Sequence, residues 1–454
     1  MAASLLCAFS VLPSVSARAT TLEEALVLAY QNNPSLNSQR AGVRATDENV
    51  PQALSGYRPK VTATATGGEQ AVSVTQKSSG TFSAVNSPFS VGATLTQTLF
   101  NGFQTANKTR QAEAQVLSAR AGLHTAEQTT LLNAATAYMN VLRDAAILNL
   151  QQRNVEVLQE QLRQTRDRFN VGEVTRTDVA QAEASLAAGR SQVLVAESNY
   201  KTSVAVYRQV IGIDPRNLAP GTPVDRFSPS TLPQAISVGV AANPAVATAQ
   251  FNVDAALLQV KVAEGSLYPN FSVTASAQRY FLSQQSPTTI GGYNASLFGT
   301  LSVPIYQGGA EYSLIRQAKE TLGQRRLDLD TVREQARESV VQSWGQLDAA
   351  KAAIESTTTQ VQAAEIALNG VREEARVGQR TTYDVLTAQQ NLVNARVALV
   401  TAQHDRVVAS YTLLANVGRL TPQTLSLRTP IYRPQVHYQQ VRDSWAGVRI
   451  PDGR

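Results

Sequence analysis

The chain has 454 residues, 43% hydrophobic and 16% charged, with one cysteine, three histidines and a formal net charge of +6. That apolar fraction excludes a disordered polymer, and the lone Cys7 excludes a disulfide scaffold or a cysteine-ligated zinc or iron-sulfur centre. His124, His404 and His437 lack metal-site spacing, and the 33 Arg and 7 Lys are interleaved with 34 acids rather than gathered in a block, which argues against metal chemistry and nucleic acid.

Residues 1–19 read as a secretory signal peptide. Ala2 to Val15 is small and apolar, and Ser16-Ala17-Arg18-Ala19 fits a signal-peptidase site, although a basic n-region is missing. Cys7 would leave with that peptide. No later stretch approaches the ~18 consecutive apolar residues of a spanning helix, so an exported chain of this kind is periplasmic, secreted or a membrane β-barrel.

Self-comparison shows a tandem duplication. Thr21-Leu22, Asn33-Pro34 and Pro59 recur as Thr231-Leu232, Asn243-Pro244 and Pro269 at an offset of 210. Beyond the first pair of strands the offset is 206, which aligns Phe100-Asn101-Gly102 with Tyr306-Gln307-Gly308, Val171-Gly172 with Val377-Gly378, Asp178-Val179 with Asp384-Val385, and Gly212 with Gly418. The predicted domains are a first repeat over 20–212, a Pro-rich linker over 213–230, a second repeat over 231–420, and a tail over 421–454 that either packs on the outside or stays disordered.

Each repeat presents the same order of signals. In the first, the patterns predict a helix near Thr21 to Ser55, two strands separated by a polar loop, a very long helix over Gln104 to Phe169, a turn, and a helix over Thr175 to Ile211. Val155, Leu158, Leu162, Thr165 and Phe169 follow the 3-4 spacing of a coiled-coil seam, as do Leu131, Ala135, Tyr138, Leu142 and Ala145 in another phase. The strands alternate with period two at Val61, Ala63, Ala65; Val91, Ala93, Leu95; Phe271, Val273, Ala275, Ala277; and Leu297, Gly299, Leu301, Val303, Ile305. Tyr268, Tyr280, Phe281, Tyr293, Phe298 and Tyr306 lie at or near their ends. Ser78 to Asn107 and Tyr280 to Ala310 contain no charged residue over 30 and 31 positions, which favours a membrane β-sheet over a half-buried soluble one. Four strands cannot close a barrel and open edges do not survive in lipid, so several chains must share it: two would give eight strands, three would give twelve.

The two turns repeat a readable mechanism. Gly172 and Gly378 suit the left-handed residue that stops a helix, while Thr175 with Asp178, and Thr381 with Asp384, fit capping boxes that start the next. One reading of Asp178 and Asp384 ends there. The other places Asp384 of each chain in an acidic ring at the narrow end of a pore, and the two are compatible.

The duplicated layout, the exported N-terminus, the two V-G-x-x-x-x-x-D-V turns and the stretch Val377 to Gln389 resemble the TolC outer-membrane efflux protein family over Thr21 to about Leu420. The resemblance implies a mostly α fold with membrane β: a homotrimer in which each tandem-repeat protomer gives four strands to a shared twelve-stranded outer-membrane barrel and long coiled-coil helices to a periplasmic α-helical barrel. It implies an exit channel of a tripartite efflux or type I secretion system, with an entrance that opens like an iris when a periplasmic adaptor and an inner-membrane pump of RND or ABC type engage. It requires no cofactor and no metal. Asp384 falls on an entrance-lining aspartate of the family, and Thr387 where some members carry a second one. Arg380, Thr177 and Asp178 fall on positions whose links hold the entrance closed, with Ala375 replacing a tyrosine of that latch. The hairpin tips, Val171-Gly172-Glu173 and Val377-Gly378-Gln379, correspond to the surface that meets the adaptor.

A periplasmic adaptor is the alternative from another class, but it calls for one hairpin flanked by charged β domains where this chain has two copies and uncharged strands. An exported structural coiled-coil protein explains the heptads and not the charge-free windows. An enzyme fits least: no nucleophile, histidine and acid recur as a motif, no phosphate loop is present, and Glu23-Glu24 reads as a helix-dipole pair.

Overall fold

The computed structural model describes residues 19–77, 80–281 and 291–451; the signal-peptide assignment, apart from Ala19, lies outside them. The chain divides into two compact units, each drawing on both repeats. One comprises Met1–Gln39, Leu123–Pro244 and Arg333–Ile431, the other Arg40–Gly122, Ala245–Val332 and Tyr432–Arg454.

The second unit contains the sheet. Its strands β1 (Lys60–Gly67), β4 (Phe89–Asn101), β5 (Asn270–Phe281) and β6 (Gly291–Ser302) pair antiparallel in the order β1-β4-β5-β6, with β1 and β6 at the edges. The register aligns the period-two pattern across all four: Val61, Leu95, Ala275 and Leu297 form one row and Ala63, Ala93, Ala277 and Ala295 the next. On the opposite face Thr62, Thr94, Ser276 and Ser296 line up, with the Ser276 and Ser296 hydroxyls 2.7 Å apart. A bulge at Leu99 keeps Phe100 in the apolar row opposite Phe271, a detail no periodicity reveals. Lys60 and Arg279, the charged residues of these strands, lie near opposite ends of the sheet. The expected polar loop between the first two strands is instead a two-stranded ribbon, β2 (Gln70–Gln76) and β3 (Gly80–Asn86), with Ser73–Ser83 and Thr75–Thr81 hydroxyl pairs at 3.0 Å. Val303 and Ile305 fall beyond β6, because Pro304 cannot donate to a ladder.

The helix predicted near Thr21 to Ser55 is three helices: α1 (Leu22–Asn32), α2 (Pro34–Asp47) and α3 (Asn49–Leu54). Pro34 has no N–H and pushes Asn33 to extended backbone, φ −62° and ψ 121°, which ends α1. Asn33 then caps α2 through Leu36 N–H and donates from its amide to Val210 O at 2.9 Å. The second repeat does the same between α6 (Leu232–Ala242) and α7 (Pro244–Glu264), where Asn243 reaches Asn416 O. The two long helices, α4 (Gln104–Asn170) and α8 (Ala310–Arg376), have 67 residues each and extend roughly 100 Å at ~1.5 Å per residue. α5 (Arg176–Ile211) and α9 (Thr382–Asn416) return beside them.

In the helical unit Tyr30, Tyr138 and Tyr207 are fully buried. The Tyr138 hydroxyl donates to Thr20 O and Ala219 O, fastening the linker to α4. Ala235 and Gly239 of α6 pack against Val340, Leu413 and Val417, and a Cβ on Gly239 would lie 2.6 Å from Val340 Cγ2. The tail is ordered over its described part: α10 (Pro434–Val441) packs Tyr438 on Val50, Ala112 and Val116 of the sheet-containing unit.

Candidate functional site

The two hairpin turns form from identical local chemistry. Phe169 O accepts from Gly172 N and Arg168 O from Glu173 N, with Gly172 at φ +83°; Ala375 O, Glu374 O and Gly378 at φ +79° repeat the arrangement. A residue with a Cβ would be strained at either glycine. The helices then restart through full capping boxes. Asp384 Oδ2 accepts from Thr381 N at 3.0 Å and Thr381 Oγ1 at 2.8 Å, while Thr381 Oγ1 accepts from Asp384 N at 3.2 Å. Asp178 and Thr175 do likewise.

These bonds favour the ionised carboxylates. The Thr381 amide and hydroxyl, with the nearby Arg380 charge, hold Asp384 below the usual aspartate range, and the Thr175 hydroxyl and amide do the same for Asp178. A depressed folded value means that the contribution is complete above the unfolded pKa of about 3.9 and is lost as pH falls through the folded value. Thr175→Ala and Thr381→Ala are each expected to cost about 1 kcal/mol at neutral pH. That cost should fall in acid as the Thr hydroxyl-to-carboxylate bond is lost, down to the pH-independent remainder carried by the Asp N–H to Thr Oγ1 bond, as read by thermal unfolding across pH.

The tips are open. Val171 and Val377 are 72% and 71% exposed, and Gly172, Gly378 and Gln379 are exposed beside them. Glu173 pairs with Arg168 at 2.9 Å and Arg380 with Glu374 at 2.8 Å. Among the described residues, then, Arg380 engages its own hairpin and Asp178 its own cap, so the chain by itself does not bring Arg380 to Thr177 or Asp178. Thr177 and Thr387 are exposed.

Behind the turns the seam leucines Leu158 and Leu162, expected from the spacing, join the two hairpins together with residues that the sequence reading missed. Leu386 of α9 is buried with Leu158 and Leu162 of α4 and Ala182 and Leu186 of α5. One turn further along, Gln389 Nε2 donates to Asn154 Oδ1 at 3.1 Å while Gln389 Oε1 accepts from Arg372 Nη2 at 3.0 Å, linking α4, α9 and α8. Asn154 and Gln389 are both buried. A polar pair on a helical seam fixes which turn packs against which, because any slip leaves its amides unsatisfied. The signal was present: Leu386, Gln389 and Val393 continue the 3-4 spacing, and Asn154 precedes Leu158 by four.

Comparison with known proteins agrees with this architecture. The family described as outer membrane efflux protein matches residues 25–212 and 236–419. The chain is 42% identical over 456 residues to outer membrane efflux protein BepC of Brucella suis biovar 1 (strain 1330), covering 100% of this chain and 97% of that protein. It is 28% identical to outer membrane protein TolC of Escherichia coli (strain K12), covering 90% and 86% of the two. The crystal structure of the Campylobacter jejuni CmeC outer membrane channel superposes with a TM-score of 0.77 at 18% identity, covering 88% of this chain and 85% of that one. With its duplicated strand pairs, paired hairpins and coverage of both repeats, the chain belongs to the outer membrane efflux protein family.

Proposed function

We propose that this protein is the outer-membrane exit duct of a tripartite efflux or type I secretion system, conducting passively what an inner-membrane pump and a periplasmic adaptor deliver. The observation that carries this reading is the open four-stranded sheet, with an apolar row on one face, a hydroxyl row on the other and edges at β1 and β6. In lipid such edges must be paired, and β1 of one copy against β6 of the next closes a ring; three copies give the twelve strands implied by the family resemblance. From Phe271 to Phe281 the strand covers about 34 Å, or roughly 26 Å of height at a tilt of ~40°, close to the apolar band of an outer-membrane barrel.

The helical hairpins then line a periplasmic tube whose narrow end carries the two turns. Asp384 recurs in each copy there, with neutral Thr387 about a turn further in, and the ring selects cations. Arg380, Thr177 and Asp178 meet between copies to hold the iris closed. Val171, Gly172, Glu173, Val377, Gly378 and Gln379 receive the adaptor, whose pump is of RND or ABC type.

Planar-bilayer recording of the purified oligomer, together with its mass, tests this. Cation-selective channels of trimeric mass whose selectivity falls in Asp384→Ala are expected. Channels indifferent to that change would return Asp384 to capping alone, and a soluble monomer without conductance would remove the duct reading.

A further inference from the structure

The segment after the second repeat forms a strap with a buried half and an exposed half. The buried half is fastened firmly. His437 Nδ1 lies 3.0 Å from Asp47 Oδ2 with both side chains essentially inaccessible, and Arg120 approaches the other oxygen at 3.5 Å while its guanidinium lies 4.9 Å from the centre of the Tyr438 ring. Beyond α10 the strap is held differently. Arg58 Nη1 donates to Ser444 O at 2.6 Å, and the same guanidinium covers the Trp445 ring at 4.6 Å. Arg58 precedes the first residue of β1 by two, so Trp445 is tied to the foot of the sheet.

What is exposed there has the composition of a membrane interface. Tyr57, Phe103 and Tyr268 at the same end of the strands are 52%, 62% and 54% exposed, and the strap adds Trp445 at 72%, Val448 at 101% and Ile450 at 81%. Over 432–451 the charges are Arg433, Arg442 and Arg449 against Asp443, a net +2 (3 − 1), with Lys60 alongside at the start of β1. Aromatic rings with a polar or cationic neighbour and short aliphatic side chains between arginines partition to the headgroup layer, where the guanidinium meets lipid phosphate and the ring reaches the first methylenes.

We propose that residues 442–450 are an interfacial anchor that lies in the phospholipid headgroup layer at the foot of the barrel and sets the depth at which the sheet sits. The anchor rests on the reading of the sheet as the membrane segment. Continuity with the apolar rows of β1, β4, β5 and β6, where Lys60 and Arg279 are the charged residues, favours lipid as its occupant over a neighbouring copy, as do Arg442 and Arg449 against the single Asp443.

The chain has two tryptophans, and Trp344 is partly buried in the helical unit, so Trp344→Phe leaves Trp445 as the sole reporter. In proteoliposomes containing phospholipid brominated near the headgroup, Trp445 emission should fall about twofold or more relative to unbrominated vesicles, whereas deep bromines should have a weaker effect. A Leu297→Trp reporter in the Trp344→Phe, Trp445→Phe background monitors the sheet itself. If Leu297→Trp is quenched and Trp445 is not, the anchor is wrong while the barrel reading stands. If Trp445 is shielded from both brominated lipid and acrylamide, a neighbouring copy covers it and the proposal is overturned. If neither reporter is quenched, the sheet is not in the bilayer and the anchor falls with it.

Discussion

Leu386→Ala should make the entrance leak, if it rests closed as proposed above. Leu386 is buried where α9 meets Leu158, Leu162 and Leu186, so truncation leaves a cavity at the junction between the two hairpins rather than inside either one. A buried leucine truncated in this way costs about 2–4 kcal/mol, and here the loss falls on the contact that holds the α8/α9 hairpin against the α4/α5 hairpin. The Asn154–Gln389–Arg372 link a turn away keeps the register, so the helices should stay paired while the tips separate more readily. The expected results are a lowered melting temperature, a raised resting conductance in planar bilayers, and greater susceptibility of cells to bulky antibiotics that the outer membrane normally excludes. Leu386→Met preserves volume and should be near neutral in all three. A Leu386→Ala protein that melts lower without leaking would separate hairpin packing from gating and count against the proposed gate.

Gly418→Val should sharply lower accumulation of the folded protein. Gly418 has φ +80°, and a Cβ built on it lies 2.5 Å from Ala242 O, 2.7 Å from Ala242 C and 3.0 Å from Asn243 N, all of them backbone atoms at the α6–α7 break. A β-branched residue would carry the left-handed penalty of about 1–2 kcal/mol and an overlap cost of roughly 1–3 kcal/mol, with no flexible neighbour to yield. Against a net stability of order 5–15 kcal/mol that is enough to deplete the native state in a cell. Its repeat counterpart provides the control. Gly212 has φ +91°, yet its built Cβ meets nothing nearer than Asn32 Cβ at 3.9 Å. Gly212→Ala should therefore show only the backbone cost, about 1 kcal/mol. Immunoblots of outer-membrane fractions with and without heating would distinguish the two outcomes, and equal losses at both positions would show that the close approach at Ala242 is not what matters.

That contrast also separates what pattern can report from what it cannot. The duplication aligns Gly212 with Gly418, and the backbone is left-handed at both. It cannot report that another chain segment crosses one of them, because long-range approach leaves no trace in local spacing. The hairpin turns were legible for the opposite reason: a glycine stop and a Thr-x-x-Asp start are complete within about ten residues, and their hydrogen bonds close locally. The Asn33-Pro34 break was equally local, written in the missing N–H of Pro34, although amphipathic spacing runs across it and hides it.

The amino-acid sequence by itself determined the repeat, the long helices, the apolar and hydroxyl faces of the strands, and the two capped turns, because each depends on periodicity or on groups a few residues apart. Only the tertiary structure decided that β4 pairs with β5 across the two repeats, that Leu99 bulges, that Asn154 meets Gln389 at a separation of 235 residues, and that His437 buries itself on Asp47 390 residues away. Each of these joins partners whose attraction exists only after the chain has paid the entropy of bringing them together, and many other pairings would satisfy the same local pattern. What selects among them is simultaneous burial and hydrogen-bond satisfaction over the whole chain, a condition that no window of sequence contains.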